Sequence, residues 1–378
     1  MRFHADYDLT YVTIDSVSEG VGSSQIVPLL RNLSRAGLRI QLISFEKSVP
    51  EPGLRELFAS LRVDWNLKPF GPYGLVGGVS RFMSLRGQIP QTKLVHARSD
   101  ISTVAALTQG HDKVLWDVRS LWADQKVIIQ DTKMNRNLYN AYRKLEKYSA
   151  HHSLGMSTLT NAIVPILEER NNRIPQLKTM VTTSVDTDVF KSQQIPPKKI
   201  QALFSGTYNN YYDLELSNVF LKGLKKRIPI ETHWARPAES NTRFLGVGET
   251  KIIATSQHQM ADLIPNYNFG VSICKIQSGP SLKAAMPTKL GEFLACGRPV
   301  VVNKGLGDMD EYIEKYNIGV ALDGNPDNLE ESVDNLLRIL LDKSTPDRCR
   351  YVAEKYFSME SGTQNYLDLY IRMLGHKN

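Results

Sequence analysis

The sequence predicts an α/β protein of two doubly wound, Rossmann-like domains joined by a linker. Three observations predict it. The chain has 378 residues, too long for one compact core and suited to two domains of ordinary size. Short apolar segments alternate with helical patterns along its length, the mark of parallel strands joined by crossover helices. The pattern lapses over residues 191–200, where Pro196 and Pro197 sit in a stretch without periodicity, and then begins again. The expected divisions are a first domain over 1–190, a linker over 191–200, a second domain over 201–355 and a closing helical segment over 356–378.

In the first domain, residues 9–14 read as a buried strand. The loop from Asp15 to Ser24 follows, with Gly20 and Gly22 inside it. Ile26, Leu29, Leu30 and Leu33 then recur at helical spacing, and Gly37 stops that helix. Residues 38–45 alternate as a second strand. A strand, glycine-bearing loop, helix and strand in this order place the loop at the carboxyl edge of a parallel sheet, where ligands bind. Further strands are expected at 93–96, 113–117, 153–156 and near Met180. Polar residues follow two of them, Arg98 after one and Asp117, Arg119 and Trp122 after the next, which suggests one shared cleft. Asp186-Thr187-Asp188 reads as turn and helix-start chemistry, and no His/Cys/Asp/Glu grouping has metal-ligand spacing.

The second domain repeats the plan. Residues 201–204 form a strand, Ser205-Gly206-Thr207 its loop, and a helix beyond Asp213 carries Leu214, Val219, Phe220 and Leu224. Strands are expected at 230–234, 251–254, 269–273, 299–302 and 319–322, alternating with helices. Within this series, Pro287-Thr288 opens a short helix that Gly297 stops, with Thr288 available as a cap. Leu290, Phe293 and Leu294 form its core stripe, and Lys289 and Glu292 lie off it. The start of that helix exposes unpaired N–H groups and a positive dipole end, a seat for phosphate. A carboxylate at Glu292 could accept two ribose hydroxyls. The same spacing also describes a Lys/Glu pair on a wet helix face, worth roughly 0.2–0.5 kcal/mol.

The segment 287–301, read from Pro287-Thr288-Lys289 through Glu292 to Pro299-Val300-Val301, resembles the donor site of glycosyltransferase family 4, a retaining group of GT-B fold. The resemblance extends from the Gly20–Gly22 loop to the closing tyrosines, Tyr366 and Tyr370, though only this segment is highly specific. It implies transfer of a sugar from a nucleotide diphosphate sugar to an acceptor hydroxyl, with no cofactor and no metal. The acceptor is then a saccharide, a lipid-linked sugar or a small molecule. Glu292 would hold ribose, and Thr288 and Lys289 the diphosphate. Gly22 and Ser23 would approach it from the first domain, and Ser205, Gly206 and Thr207 from the second. Ile253 would frame the nucleobase. Catalysis is assigned to Lys289, Arg119 and Asp117, with Arg119 standing where the family often has a histidine. The family also implies a last helix that crosses back to the first domain.

Two departures are visible. The family's sugar-contacting glutamate, eight residues before Glu292, is Ala284 here. The loop after residue 207 reads Tyr-Asn-Asn-Tyr-Tyr, without the family's arginine and lysine. Lys289, Lys283 and Arg236 are the candidate replacement cations. These departures make a catalytically silent nucleotide-binding protein an alternative reading, and a GT-B sugar-nucleotide epimerase, which has similar domains, is another; a nicotinamide-dependent enzyme is the weakest, because Gly20-x-Gly22 lacks the third glycine of a dinucleotide fingerprint.

Composition narrows the setting. Hydrophobic residues at 42% with charged residues at 22% describe a soluble globular protein. No apolar run reaches the ~18–20 residues of a membrane span, and the first residues lack a signal-peptide core. Three cysteines without paired spacing, Cys274, Cys296 and Cys349, point to a reducing cytoplasm. The net charge of +7 is modest and gives no reason to expect nucleic acid. The window from Lys126 to Lys147 carries Lys133, Arg136, Arg143 and Lys144 against Asp131 and Glu146, a candidate contact with the inner membrane surface.

Overall fold

The computed structural model describes residues 7–129, 131–194, 199–206, 211–236, 249–253 and 256–376. Two wholly parallel sheets organise them. The first contains β1 (Leu9–Thr13), β2 (Ile40–Glu46), β3 (Val63–Pro69), β4 (Val95–Arg98), β5 (Val114–Val118), β6 (Gly155–Thr158) and β7 (Leu177–Met180). The second contains β8 (Ile200–Ser205), β9 (Ile230–Arg236), β10 (Glu249–Ile253), β11 (Phe269–Ser272), β12 (Val300–Asn303) and β13 (Gly319–Leu322). Their orders are β3-β2-β1-β4-β5-β6-β7 and β10-β9-β8-β11-β12-β13. In both, the chain works outward to one edge and returns to build the other. A crevice therefore opens at the carboxyl ends of β1 and β4 in one sheet and of β8 and β11 in the other.

Helices cover both faces because the central strands are apolar on both. In the first sheet, Tyr11, Ile40 and Leu42 pack against Leu29, Leu30 and Leu33 of the helix Val27–Arg35. The last helix, Met359–Gly375, adds Tyr366, Leu369, Tyr370 and Met373 to that same cluster. Val12, Ile43 and Phe45 face the other way, onto Leu85, Ala105 and Ala106. The chain passes between the sheets at two adjacent points, where Val185 N–H donates to Phe357 O and Met359 N–H to Val185 O. Asp186 Oδ1 accepts the N–H groups of Asp188 and Val189, the turn chemistry expected of that triplet.

Most expected strands occur within two residues of their positions. β3 was not anticipated. Its alternation of Val63, Trp65 and Leu67 with Asp64, Asn66 and Lys68 carries the signal of an edge strand, and Trp65 donates its indole N–H to Ser44 Oγ on β2. The strands expected at 93–96 and 113–117 end two residues and one residue later than that. Arg98 is thus the last residue of β4, delivered directly to the crevice.

Candidate functional site

A cleft of about 890 Å³ lies between the two domains, lined from both. The first domain contributes Gly20, Val21, Ser23, Ser24, Arg98, Arg119, Ser120 and Gln125; the second contributes Ser205, Gly206, Tyr211, Tyr212, Gln257, Ala284–Lys289 and Glu292. It sits where both sheet orders reverse, so strand ends and helix starts converge on it.

The helix Thr288–Ala295 supplies the most charged part of the second wall. It follows Pro287, which takes an extended conformation as the N-cap, and it stops before Gly297 at φ +74°. No side chain caps it, so Thr288 is not a cap as the sequence had suggested. It lies flush on the sheet because β11 has Gly270, where a Cβ would be 2.2 Å from the Phe293 ring. Flush packing carries Lys289 inward. Its side chain is buried rather than on a wet face, with Nζ 4.4 Å from the centre of the Tyr212 ring and close to the Gly206 backbone. Burial pulls the Lys289 ammonium down to about 8, against the opposing pull of the Cys274 thiol and Glu292. Glu292, half-buried one turn on, is pushed up to about 7 by burial, with Lys289 resisting. An ammonium and a carboxyl that both titrate near neutrality face one cavity, a combination typical of ligand sites.

The glycine-bearing loop of the first domain is held by Glu46 at the end of β2. Its carboxylate accepts Ser16 Oγ, Ser18 Oγ, Ser44 Oγ and the N–H groups of Val17 and Ser18. Burial would raise this carboxyl, but those donors outweigh it and hold it below the usual range. Ser23 lines the cleft, its hydroxyl donating to Gly20 O. Gly22 does not line it. A Cβ there would fall 1.9 Å from Ser16 O, so Gly22 is needed for the loop's approach to its own backbone rather than to a ligand.

Asp117 requires the largest correction. It is fully buried behind the cleft and is not among the residues that line it. Oδ1 accepts Ser157 Oγ at 2.9 Å and Tyr366 OH at 3.2 Å, and Oδ2 lies 3.3 Å from His96 Nε2 and 3.6 Å from Arg98 Nη1. Burial opposes the charge, but Arg119, His96 and Arg98 hold the carboxyl well below the usual range. Asp117 is a counter-ion that positions two arginines, and a catalytic role would need contact it does not have. Arg119 does line the cleft, with Nη1 reaching Asp117 Oδ1, Val181 O and Tyr366 OH.

Ser205, Gly206 and Thr288 also line the cleft, whereas Thr207 lies outside the described residues. Three expected residues are placed elsewhere. Ile253, on the edge strand β10, is 60% exposed and away from the cleft. Lys283 has its Nζ beside Gly305. Arg236 is buried at the end of β9 with its guanidinium over Trp234. Neither cation is among the lining residues. Lys289, Arg98 and Arg119 are the cationic side chains of the cleft wall among the described residues.

Sequence reasoning passed over Tyr211, Tyr212 and Gln125 as site residues, and it ranked Arg98 low. Tyr212 could not have been found from spacing, since it meets Lys289 from 77 positions away (289 − 212). Ala284 is buried in an apolar cluster with Trp116 and Leu121 of the first domain, which accounts physically for a small apolar residue there. The basic window falls mostly on the helix Lys133–His152, with Lys126 on the preceding helix Trp122–Ile129. Arg136 pairs with Asp131 and Arg143 with Glu146, and Lys133, Arg136, Lys144 and Lys147 are the exposed cations of the longer helix. Among the described residues, no helix is long and apolar enough to cross a membrane.

No protein-family model and no curated protein matches the sequence. Solved structures do match over nearly the whole chain. Sucrose-phosphate synthase from Thermosynechococcus elongatus superimposes with a TM-score of 0.71 at 13% identity, covering 97% of this chain and 98% of that one. A glycosyltransferase from Rickettsia africae gives a TM-score of 0.71 at 14% identity, with 99% and 100% covered. HepE from Anabaena, solved in complex with UDP-glucose, gives 0.65 at 9% identity, with 97% and 100% covered. At such identities the likeness is one of architecture: the chain has the GT-B fold, two parallel-sheet α/β domains with a cleft between them.

Proposed function

We propose that the protein is a retaining glycosyltransferase of the family-4 type, transferring a sugar from a nucleotide diphosphate sugar to an acceptor hydroxyl. The observation that carries this reading is the uncapped start of the helix Thr288–Ala295, with buried Lys289 beside it, adjoining the Ser205-Gly206 loop on the same wall of the cleft. Such a wall favours a diphosphate by dipole, N–H groups and charge together. The complex of HepE with UDP-glucose supports a nucleotide-sugar donor.

In this mechanism the bond from the sugar's anomeric carbon to the diphosphate oxygen breaks as the acceptor oxygen bonds to the same face. The acceptor proton passes to the departing phosphate. Lys289 and the helix start stabilise the charge that develops there, and Arg119 meets it from the first domain. Catalysis then rests on positioning and preorganised charge, with no protein nucleophile.

The test is nucleotide affinity. Glu292→Ala is expected to raise the donor dissociation constant at least about tenfold, as loss of hydrogen bonds to a charged group implies; calorimetry showing unchanged affinity would overturn the ribose assignment. The two shifted groups also give the reading a pH signature. Glu292 becomes the better acceptor as it ionises above about 7, and Lys289 loses its charge above about 8. Donor affinity should therefore peak between these values, falling on the acid side with Glu292 and on the alkaline side with Lys289. A flat profile from pH 6 to 9 would count against both assignments.

Ala284 favours a second reading, a nucleotide-binding protein without catalysis. Donor binding with no release of nucleoside diphosphate, even by hydrolysis, would establish it.

A further inference from the structure

A second cavity, of about 240 Å³, opens off the cleft within the first domain. It shares Arg98, Arg119 and Gln125 with the cleft and adds Asp15, Ser99 and Trp122. Its position is the switch point of the first sheet, between the ends of β1 and β4.

Charge is the first observation. The side chains of Arg98 and Arg119 are only 8% and 13% exposed, and each directs Nη1 toward the same carboxylate, Asp117, at 3.6 and 3.5 Å. All protein bonds of Arg119 run through Nη1, so Nε and Nη2 have no protein partner among the described residues. The other ion pair of Arg98 is with Asp15, again at 3.6 Å, beyond hydrogen-bond distance, and the Asp15 side chain is 58% exposed at the rim. Two buried positive charges share one buried negative charge. Asp100, at the back of the cavity, accepts the Trp116 indole N–H and is pushed up to about 7 by burial, so it offsets the surplus only in part. An uncompensated buried cation is costly and persists where a ligand completes it.

The second observation is Ser99. It is a non-glycine residue at φ +74°, and its buried Oγ has no hydrogen-bond partner among the described residues. It begins the helix Ser99–Leu107, whose first residues line the cavity, so a positive dipole end adds to the two guanidiniums. Trp122 supplies the remaining wall, half-buried against Tyr142, an aromatic surface suited to the apolar face of a sugar ring.

We infer that this cavity is an acceptor subsite for a sugar residue bearing an oxyanion, a carboxylate or a phosphate, held by Arg98 and Arg119. The inference rests on the glycosyl-transfer reading and names the acceptor class for it. The anion takes the free guanidinium edges and the Ser99 hydroxyl, and the ring lies along Trp122. The reacting hydroxyl then points into the cleft, because Arg98, Arg119 and Gln125 border both spaces.

The test uses wild-type protein saturated with UDP, titrated calorimetrically with methyl glucuronide, glucose 6-phosphate and methyl glucoside. At least one anionic sugar should bind at least about tenfold more tightly than the neutral one, and added salt should weaken it. The carboxylate and phosphate arms identify which oxyanion is used. Arg98→Gln should lower affinity for the anionic sugar by more than it lowers affinity for UDP, so that the preference is lost. Asp15→Asn, a change at the exposed rim, should strengthen the anionic sugar and keeps the test valid if Arg98→Gln does not fold. Equal binding of all three sugars, or of none, with UDP bound overturns the subsite alone. Where UDP does not bind, GDP or dTDP takes its place, and failure of all three to bind overturns the glycosyl-transfer reading and the acceptor role with it.

Discussion

Lys289→Met is expected to lower the rate of donor turnover by about 10²–10³-fold, the usual cost of losing one preorganised group that stabilises a leaving charge. Its effect on stability should run the other way. The Lys289 ammonium is held in a buried position that penalises its charge, and an apolar side chain of similar length removes that penalty. Thermal unfolding should therefore show a midpoint unchanged or raised. Glu292, deprived of the cation that resists its upward shift, should titrate above about 7. Single-turnover release of nucleoside diphosphate, read beside the melting curve, separates the two effects. Turnover at the wild-type rate would remove Lys289 from the mechanism.

Asp117→Asn should destabilise the first domain by about 3–5 kcal/mol, since it strips the shared counter-ion from buried cations. At the usual relation between free energy and melting temperature, that is a loss of roughly 10 °C. The pH dependence gives the sign. The folded carboxyl is held well below its ordinary value of 3.8, so its stabilisation is complete above that value. It is lost as pH falls through the folded one. The variant should lack this acid-side dependence and sit at a uniformly lower stability. A second consequence is functional. Arg119 and Arg98 lose the group that orients them, so donor turnover should fall even where the protein remains folded. A melting curve that matches the wild type would show that Asp117 does not balance these cations.

The contrast between Lys289 and Asp117 indicates which kinds of residue a sequence reveals. Lys289 and Glu292 were legible because a short helix with a proline start, a glycine stop and one apolar stripe leaves few places for its polar residues. Even so, the sequence read their face as wet, and the burial came from Gly270 on a neighbouring strand. Asp117 followed a strand and stood beside an arginine, a pattern shared by catalytic and structural carboxylates alike. Its fate was decided by Tyr366, 249 positions away, which covers Oδ1 from the last helix. Gly22 was expected to approach the diphosphate, and the backbone it approaches in the structure is that of Ser16.

Ile253 was assigned by its position along a family pattern, and Lys283 and Arg236 as candidate replacements for the cations that pattern lacks here. Their side chains went to an exposed edge, to Gly305 and to Trp234. The second cavity was not legible at all. It takes residues from the ends of β1, β4 and β5, and only the sheet order brings those ends together.

By itself, then, the sequence determined the α/β class, the double restart of the strand–helix pattern and the short helix whose start lines the cleft. These depend on hydrophobic periodicity and on turn residues, which act between near neighbours in the chain. The tertiary structure alone decided which polar side chains meet, which carboxylate stays ionised and which cations face the cleft. Those outcomes depend on burial and on charge at a few ångströms, between groups that the chain holds far apart until both sheets are built.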